Sequence, residues 1–387
     1  MSSRVFVPTP VSTAPAFVSS AGILAALRRA TGAFEWVTLA YFSWLISTIV
    51  IFHRHLPRAA GFVALHLAIL AAIALLALAA ARWRNPLLRF ARSWYPLPLY
   101  IFCFEELERL VHIIFSGWFD RFLIAFDFNL AGVHPSIYLA RFSSPPLNDF
   151  MQFAYMTYFL YLIILPALLY AARERVAFWT VMASTAIAHN TVYAISILFP
   201  TESPYFALAS LQTKTLSGGF FTRAIGLIEH FGRVHGAAFP SAHVAGSMIA
   251  ILAARRYRPW LFWICLPFFV AMCVSTVYGR YHYVADVIAG LAVGAFAWIA
   301  GQWLMQCPGA LPRYMECGGL PPLSQAEARF GARSIGGQHR RTQTSLRLRF
   351  FRNPFSRQTA DVVEVEQVKS SEHGGIHREE SAVEVRT

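Results

Sequence analysis

Long apolar runs broken by short, Arg-rich connections set the rhythm of this chain. A hydrocarbon core of about 30 Å takes roughly 20 apolar residues of helix. Eight stretches approach that length: Phe34 to Phe52, Ala60 to Ala81, Pro96 to Phe115, Phe150 to Ala172, Val176 to Phe199, Gly236 to Ala254, Pro259 to Tyr278 and Val284 to Met305. Helices are the default, because an unpaired backbone group in lipid costs several kcal/mol. The pattern predicts an all-α integral membrane protein with about eight transmembrane helices.

Orientation follows from Arg in the connections. Arg28 and Arg29, then Arg82, Arg84, Arg89 and Arg92, then Arg173 and Arg175, then Arg255, Arg256 and Arg258 all fall on one face of an eight-span arrangement. That face is expected to be cytoplasmic, with both termini inside; Arg54 and Arg58 lie on the other side. The expected location is the plasma membrane, multi-pass. The N-terminal segment shows no apolar core followed by a small-residue cleavage site, so no cleaved signal peptide is read. The two long connections, Trp118 to Asp149 and Pro200 to Phe239, then both lie outside.

Composition narrows the class. Of 387 residues, 56% are hydrophobic and 14% charged, against about 45–50% and about 25% in soluble proteins. An ordinary soluble protein and whole-chain disorder are both excluded. Five Cys are too few for a disulfide scaffold. No CxxC pair occurs, which leaves zinc or redox use little support. The net charge of +13 reads as Arg-rich cytoplasmic loops and not as a nucleic-acid surface. After Met305 apolar periodicity stops, and Arg329 to Arg357 holds eight Arg and no acid. That tail reads as disordered and cytoplasmic, or as an Arg-rich segment resting on anionic lipid.

Ionisable residues inside spans are costly and need a reason. Phe239-Pro240-Ser241-Ala242-His243 stands at the outer mouth of the sixth span, and Tyr278-Gly279-Arg280-Tyr281-His282-Tyr283-Val284-Ala285-Asp286 joins the seventh to the eighth. Both lie at one membrane boundary. His282 and Asp286 are four apart, one helical turn on one face. A carboxylate there fixes the imidazole tautomer and leaves the other nitrogen free to attack. His243 begins a helix, where free N–H groups suit an anion and Ser241 adds a hydroxyl. Arg280 adds positive charge. Together they describe a phosphate site, one His as nucleophile and the other as acid. Only one carboxylate lies near, fewer oxygen ligands than a divalent-metal phosphotransferase normally uses. No metal and no cofactor are expected.

This constellation resembles the type 2 phosphatidic acid phosphatase superfamily, whose second motif is Pro-Ser-Gly-His and whose third ends in His-x-x-x-Asp. Here they read Pro240-Ser241-Ala242-His243 and His282-Tyr283-Val284-Ala285-Asp286. Ala242 replaces the usual Gly, and the first motif, Lys-x6-Arg-Pro, is absent; Lys214 and Arg223 are the substitutes in the same loop. Phe-Pro-Ser-x-His with His-Tyr-x-x-Asp is similar to the inositolphosphotransferase (inositol phosphorylceramide synthase-like) branch. Phe126-Asp127, His134-Pro135, Ser144-Pro145, Tyr155 and Tyr158 carry the same likeness. The resemblance implies a six-helix core formed by the third to eighth spans. Residues 95–306 would be that core, 1–94 an N-terminal segment with two extra spans, and 307–387 the tail. It implies His282 as the nucleophile that becomes a phosphohistidine, His243 as the acid, Asp286 orienting His282, and Ser241, Arg280 and Lys214 binding phosphate. The expected partner is a membrane lipid, either a phospholipid or a lipid phosphate. Water or an alcohol is the acceptor, and nucleic acid has no part.

Other polar residues have plainer readings. Glu105, Glu108, Arg109 and His112 form one helical stripe expected to face the bundle interior. It serves a proton relay or head-group site, or an ion-pair ladder between helices. His189 and Asn190 read as interhelical hydrogen-bonding residues, and Gly290 with Gly294 as a close-packing GxxxG. The competing function is a polytopic transporter or channel using that polar stripe. Nothing in the sequence separates hydrolysis from transfer, or names the lipid.

Overall fold

The computed structural model describes residues 20–83, 85–232, 234–311, 344–351, 362–370 and 376–383. The chain divides into two units, Met1–Gly319 and Leu320–Thr387. In the first, every described element is helical: α1 (Ser20–Ala30), α2 (Ala33–Ile51), α3 (Ala59–Arg82), α4 (Pro86–Trp94), α5 (Pro96–Leu110), α6 (Asp120–Ala131), α7 (Pro135–Leu139), α8 (Pro145–Ala171), α9 (Arg175–Leu198), α10 (Pro204–Ala207), α11 (Phe220–Gly232), α12 (Ala242–Tyr257), α13 (Pro259–Tyr278) and α14 (Val284–Leu304). Six of these open on a proline in the first turn. Its missing N–H is an orphan there in any case, and its fixed φ suits the helix.

Six helices are long and apolar enough to cross a bilayer: α2, α3, α8, α9, α13 and α14. Asp120–Ala131 with Pro135–Phe142, bent by 59°, is a seventh candidate. The two remaining expected spans, α5 and α12, run the length of their neighbours. Arg92 before α5 pairs with Glu35 at the start of α2, and Ile113 O after it meets His55 beyond the end of α2. Phe239 and Arg258, at the two ends of α12, bond Ser196 and Glu174 at the two ends of α9. α5 and α12 have 15 and 16 residues, about 22–24 Å at 1.5 Å per residue, short of the hydrocarbon thickness. The cause is local. Pro240 and the N-cap Ser241 delay the start of α12 to Ala242, and Pro259 opens the next helix. The bent pair lies inside the Trp118 to Asp149 connection, which is helical where the sequence predicts a loop. All-α membrane architecture stands.

α9 is the central helix, with 67% of its apolar window buried, whereas α3 has 11% and faces lipid. α12 packs against α8, α9, α13 and α14; α2 lies on α9 and α3; α5 lies on α9; α11 on α8; α6 on α14. The α12–α14 contact is backbone-close. A Cβ on Gly290 would meet Ser241 O at 2.7 Å, and one on Gly294 would meet Ala245 O at 2.7 Å. The GxxxG reading is thereby met by a short helix that needs small partners.

The second unit, expected from composition to be disordered, holds three antiparallel strands in the order β1 (Thr344–Phe351), β2 (Val362–Ser370) and β3 (Ile376–Val383). Arg347 is opposite Glu366 and Arg349 opposite Glu364. The runs Leu346-Arg347-Leu348-Arg349 and Val363-Glu364-Val365-Glu366 alternate with period two, a strand signal that bulk composition hides. Arg84 and much of the Arg-rich run lie outside the described residues.

Candidate active site

The start of α14 is fixed before any chemistry is asked of it. Tyr283 is its N-cap, and Asp286, at the third helical position, accepts the Tyr283 N–H at Oδ2, 2.8 Å. The same oxygen lies 3.3 Å from His282 Nδ1. A second acceptor is closer: the Ala238 carbonyl, 2.8 Å from Nδ1. A carbonyl only accepts, so Nδ1 carries the hydrogen and Nε2 keeps its lone pair. From α6, Asp127 accepts the N–H groups of Val284 and Ala285 at 2.9 and 3.0 Å. Asp120 accepts the Tyr283 hydroxyl at 2.7 Å. Carboxylates at a helix N-terminus are favourable. Here they hold the backbone that follows His282.

The turn before His282 is as tightly held. Arg280 has φ +66°, the left-handed region, and the N–H groups of Tyr281 and His282 both donate to Thr276 O, at 2.9 and 3.0 Å. Arg280 donates to Gln212 Oε1 at 2.8 Å and to Lys214 O at 2.6 Å. Burial pushes its guanidinium below the usual range.

His243 is the second residue of α12. Ser241 caps that helix by accepting the Val244 N–H at 3.3 Å, and its own N–H donates to the Asp286 carbonyl at 3.1 Å. The two motif segments are thus tied through the backbone. His243 Nε2 is 2.8 Å from the Tyr155 hydroxyl. Its ring centroid lies 4.6 Å from that of Tyr155, 4.4 Å from Tyr158 and 5.9 Å from His282. Behind it, His189 Nδ1–H donates to Thr185 O at 2.9 Å, so Tyr158 donates to His189 Nε2, also at 2.9 Å.

Both histidines line a cavity of about 490 Å³ bounded by α5, α8, α9 and α11, within the usual size of small-molecule sites. Its walls are mostly apolar. The first N–H groups of a helix have no intrahelical acceptor, and Ala242 and His243, which open α12, both face this space.

The structure brings His282, His243 and Asp286 together and places the expected phosphate binders elsewhere. Ser241 is fully buried as a cap. Lys214 Nζ donates to Arg141 O at 3.2 Å. Neither Lys214 nor Arg280 lines the cavity. The expected stripe on α5 splits, because the helix ends at Leu110. Glu105 lines the cavity, Glu108 and Arg109 are exposed, and His112 donates to Phe115 O at 2.9 Å beside Trp118. Sequence reasoning missed the Ala238 carbonyl, the Asp120 and Asp127 clamp and the Tyr155–His243 bond. Only Asp127 and Tyr155 had left a trace, through the family likeness. Among the described residues no three His, Cys, Asp or Glu side chains converge to hold a metal ion.

Comparison with known proteins points the same way. A model of the PAP2 superfamily matches residues 121–300, a span that contains both histidine motifs. A PA-phosphatase related-family protein of Dictyostelium discoideum is 29% identical over 114 residues, covering 28% of this chain and 21% of that protein. The matched region is thus about a fifth of that relative's length. No solved structure gives a significant match.

Proposed function

We propose that this chain is an integral membrane lipid phosphatase or phosphotransferase of the PAP2 superfamily, acting through a phosphohistidine on His282. The observation that carries it is the pairing of His282, its Nε2 left free by Nδ1–H donation to Ala238 O, with His243 at the start of α12 across one cavity. Nε2 of His282 attacks phosphorus, a P–N bond forms, and the P–O bond to the lipid alcohol breaks. The departing oxygen takes a proton from His243. Asp286 stabilises the charge that grows on the His282 ring, and the N–H groups opening α12 hold the phosphoryl oxygens. Water or an alcohol then attacks phosphorus, gives its proton to His243, and releases His282. The His-Tyr-x-x-Asp form of the motif favours the transfer branch, similar to inositolphosphotransferases. On this reading the cavity opens at the outer membrane face and both termini are cytoplasmic, which the Arg-rich connections favour.

The test separates the two histidines. General acid catalysis is worth about 10²–10⁴-fold. With a nitrophenyl phosphate ester, whose leaving group needs no proton, His243→Ala recovers most of its loss and His282→Ala recovers none. Rescue of His282→Ala with a dead His243→Ala reverses the roles. Full turnover in both variants removes the phosphotransfer reading.

A further inference from the structure

α8 turns one polar face toward both histidine motifs. Asn148, Gln152 and Tyr155 stand at i, i+4 and i+7, positions that one side of a helix presents together. Each meets a motif segment. Asn148 Oδ1 accepts the Tyr278 hydroxyl, and Gln152 Oε1 accepts the Tyr281 hydroxyl at 3.0 Å. Those two contacts hold the turn that leads to His282. The third reaches the other histidine: the Tyr155 hydroxyl lies 2.8 Å from His243 Nε2, and the Tyr155 ring packs on that of Tyr281 with centroids 4.4 Å apart.

Tyr155 is the one hydrogen-bond partner of the His243 ring among the described residues. Tyr158, whose ring centroid is 4.4 Å from that of His243, gives its hydroxyl to His189 Nε2 at 2.9 Å. His243 Nδ1 has no hydrogen-bond partner among the described residues and is not sealed in the interior, and the residue lines the cavity. The proton count then decides what the Tyr155 bond does. To protonate a leaving oxygen and be neutral afterwards, His243 starts as imidazolium, with a hydrogen on each nitrogen. Nε2–H donates to the Tyr155 oxygen, since a phenol oxygen accepts as well as donates.

We propose that Tyr155 is the positioning residue of the general acid: it keeps a hydrogen on His243 Nε2 throughout the cycle, so that Nδ1 alone exchanges a proton with the substrate. This rests on the phosphotransfer reading and specifies how its acid works. As His282 Nε2 bonds to phosphorus and the P–O bond to the lipid alcohol breaks, the Nδ1 proton passes to that oxygen. Neutral His243 keeps Nε2–H on Tyr155 and a lone pair on Nδ1. Water or an alcohol then attacks phosphorus, its proton goes to Nδ1, the P–N bond breaks, and the imidazolium is restored. The two histidines are thus held by opposite nitrogens, His282 through Nδ1 on Ala238 O and His243 through Nε2 on Tyr155.

The experiment uses the full-length protein in lipid nanodiscs and the variant Tyr155→Phe, which keeps the ring and removes the hydroxyl. The rate of the first turnover is measured on phosphatidate and phosphatidylinositol, whose lipid alcohol needs a proton to leave, and on a nitrophenyl phosphate ester, whose leaving group does not. On the lipids Tyr155→Phe is expected to lose about 10–100-fold, as removal of an outer support to a reacting histidine does. On the nitrophenyl ester it runs at nearly the parent rate. A merely structural role would cost both kinds of substrate alike. Equal losses on both, or no loss on the lipids, overturn the proposal and leave phosphotransfer standing. Nitrogen NMR of histidine-labelled protein, with His243 identified by difference from His243→Gln, gives a second readout that needs no turnover. Neutral His243 is expected to carry its hydrogen on Nε2 in the parent and to shift toward Nδ1–H in Tyr155→Phe. Hydrogen on Nδ1 in the parent, or a tautomer unchanged in the variant, overturns the proposal. No turnover on any substrate removes the phosphotransfer reading instead, and the tautomer still decides whether Tyr155 positions His243.

Discussion

Among the described residues two His–carboxylate pairs are buried, and only one of them is placed for chemistry. His282 with Asp286 stands at the start of α14, 3.3 Å apart; His66 with Glu106 joins α3 to α5, 2.9 Å apart. In both, Nδ1 meets a backbone carbonyl, Ala238 O at 2.8 Å and Phe62 O at 2.6 Å. The difference is the other nitrogen. Asp286 approaches the same Nδ1 that Ala238 already holds, which leaves Nε2 free beside the cavity. Glu106 takes Nε2 itself, and the His66 ring is wholly enclosed. Identical residue types thus make a nucleophile in one place and a helix fastener in the other. A carboxylate near a histidine says little until the nitrogen it occupies is known.

The largest expected effect breaks the comparison at its centre. His282→Ala lowers turnover by about 10⁴-fold or more, as removal of a nucleophile does. His66→Leu leaves kcat nearly unchanged but destabilises the fold, since breaking a buried pair costs about 3–5 kcal/mol. Steady-state kinetics and thermal unfolding in detergent read the two separately. Loss of turnover in a folded His66→Leu protein would make the second pair functional and end the contrast.

Next in size is Asp286→Asn. The Ala238 carbonyl is the closer acceptor and keeps the tautomer, so the loss is that of an outer support, about 10–100-fold. A variant as inactive as His282→Ala would transfer the tautomer-fixing role to the carboxylate. Asp127→Ala comes below it. Two N–H groups of α14 lose their cap, which costs about 0.5–2 kcal/mol of stability. Because Asp127 positions His282 through the backbone, kcat falls while KM holds. An unchanged kcat would make Asp127 a stabilising cap alone.

The site was more legible in the sequence than its surroundings. His282 and Asp286 are four apart, and Pro240-Ser241 announces the helix that carries His243, so local rules reached all three. Residues acting across the fold left no local mark. Asp127 reaches Ala285 over 158 positions and Tyr155 reaches His243 over 88. Arg92, wholly buried against Glu35 of α2 with Nε to Oε1 at 2.9 Å, had been counted among cytoplasmic arginines. Apolar runs located the helices but did not show how short two of them are. A run of the right length does not reveal that Pro240 and Ser241 have already spent its first six residues outside the helix. The α5 stripe is met only at Glu105, which lines the cavity; Glu108 and Arg109 are exposed, and the buried carboxylate of that helix is the neighbouring Glu106.

The smallest expected effect is the sharpest statement of the contrast. Glu106 Oε1 already lacks a hydrogen-bond partner, and Oε2 rests on His66 alone. Removing His66 leaves the whole carboxyl buried and unanswered; removing Glu106 leaves His66 Nε2 in the same position. Either single change should therefore be costly. Replacing both partners removes the orphan as well as the pair. Buried ion pairs exchanged for apolar residues of similar volume are often neutral, or stabilising by about 1–4 kcal/mol. The double variant His66→Leu/Glu106→Met should unfold at or above the temperature of the parent, with turnover unchanged. The surroundings suit the exchange: Phe42 packs 5.3 Å from the His66 ring, and Leu107 beside Glu106 is buried. No apolar exchange is open to His282 and Asp286, where the same logic would stabilise the helix start and abolish the reaction. A double variant as unstable as the worse single one would mean that the second pair specifies how α3 docks on α5. The distinction between a reactive pair and an exchangeable one would then fail at its weaker end.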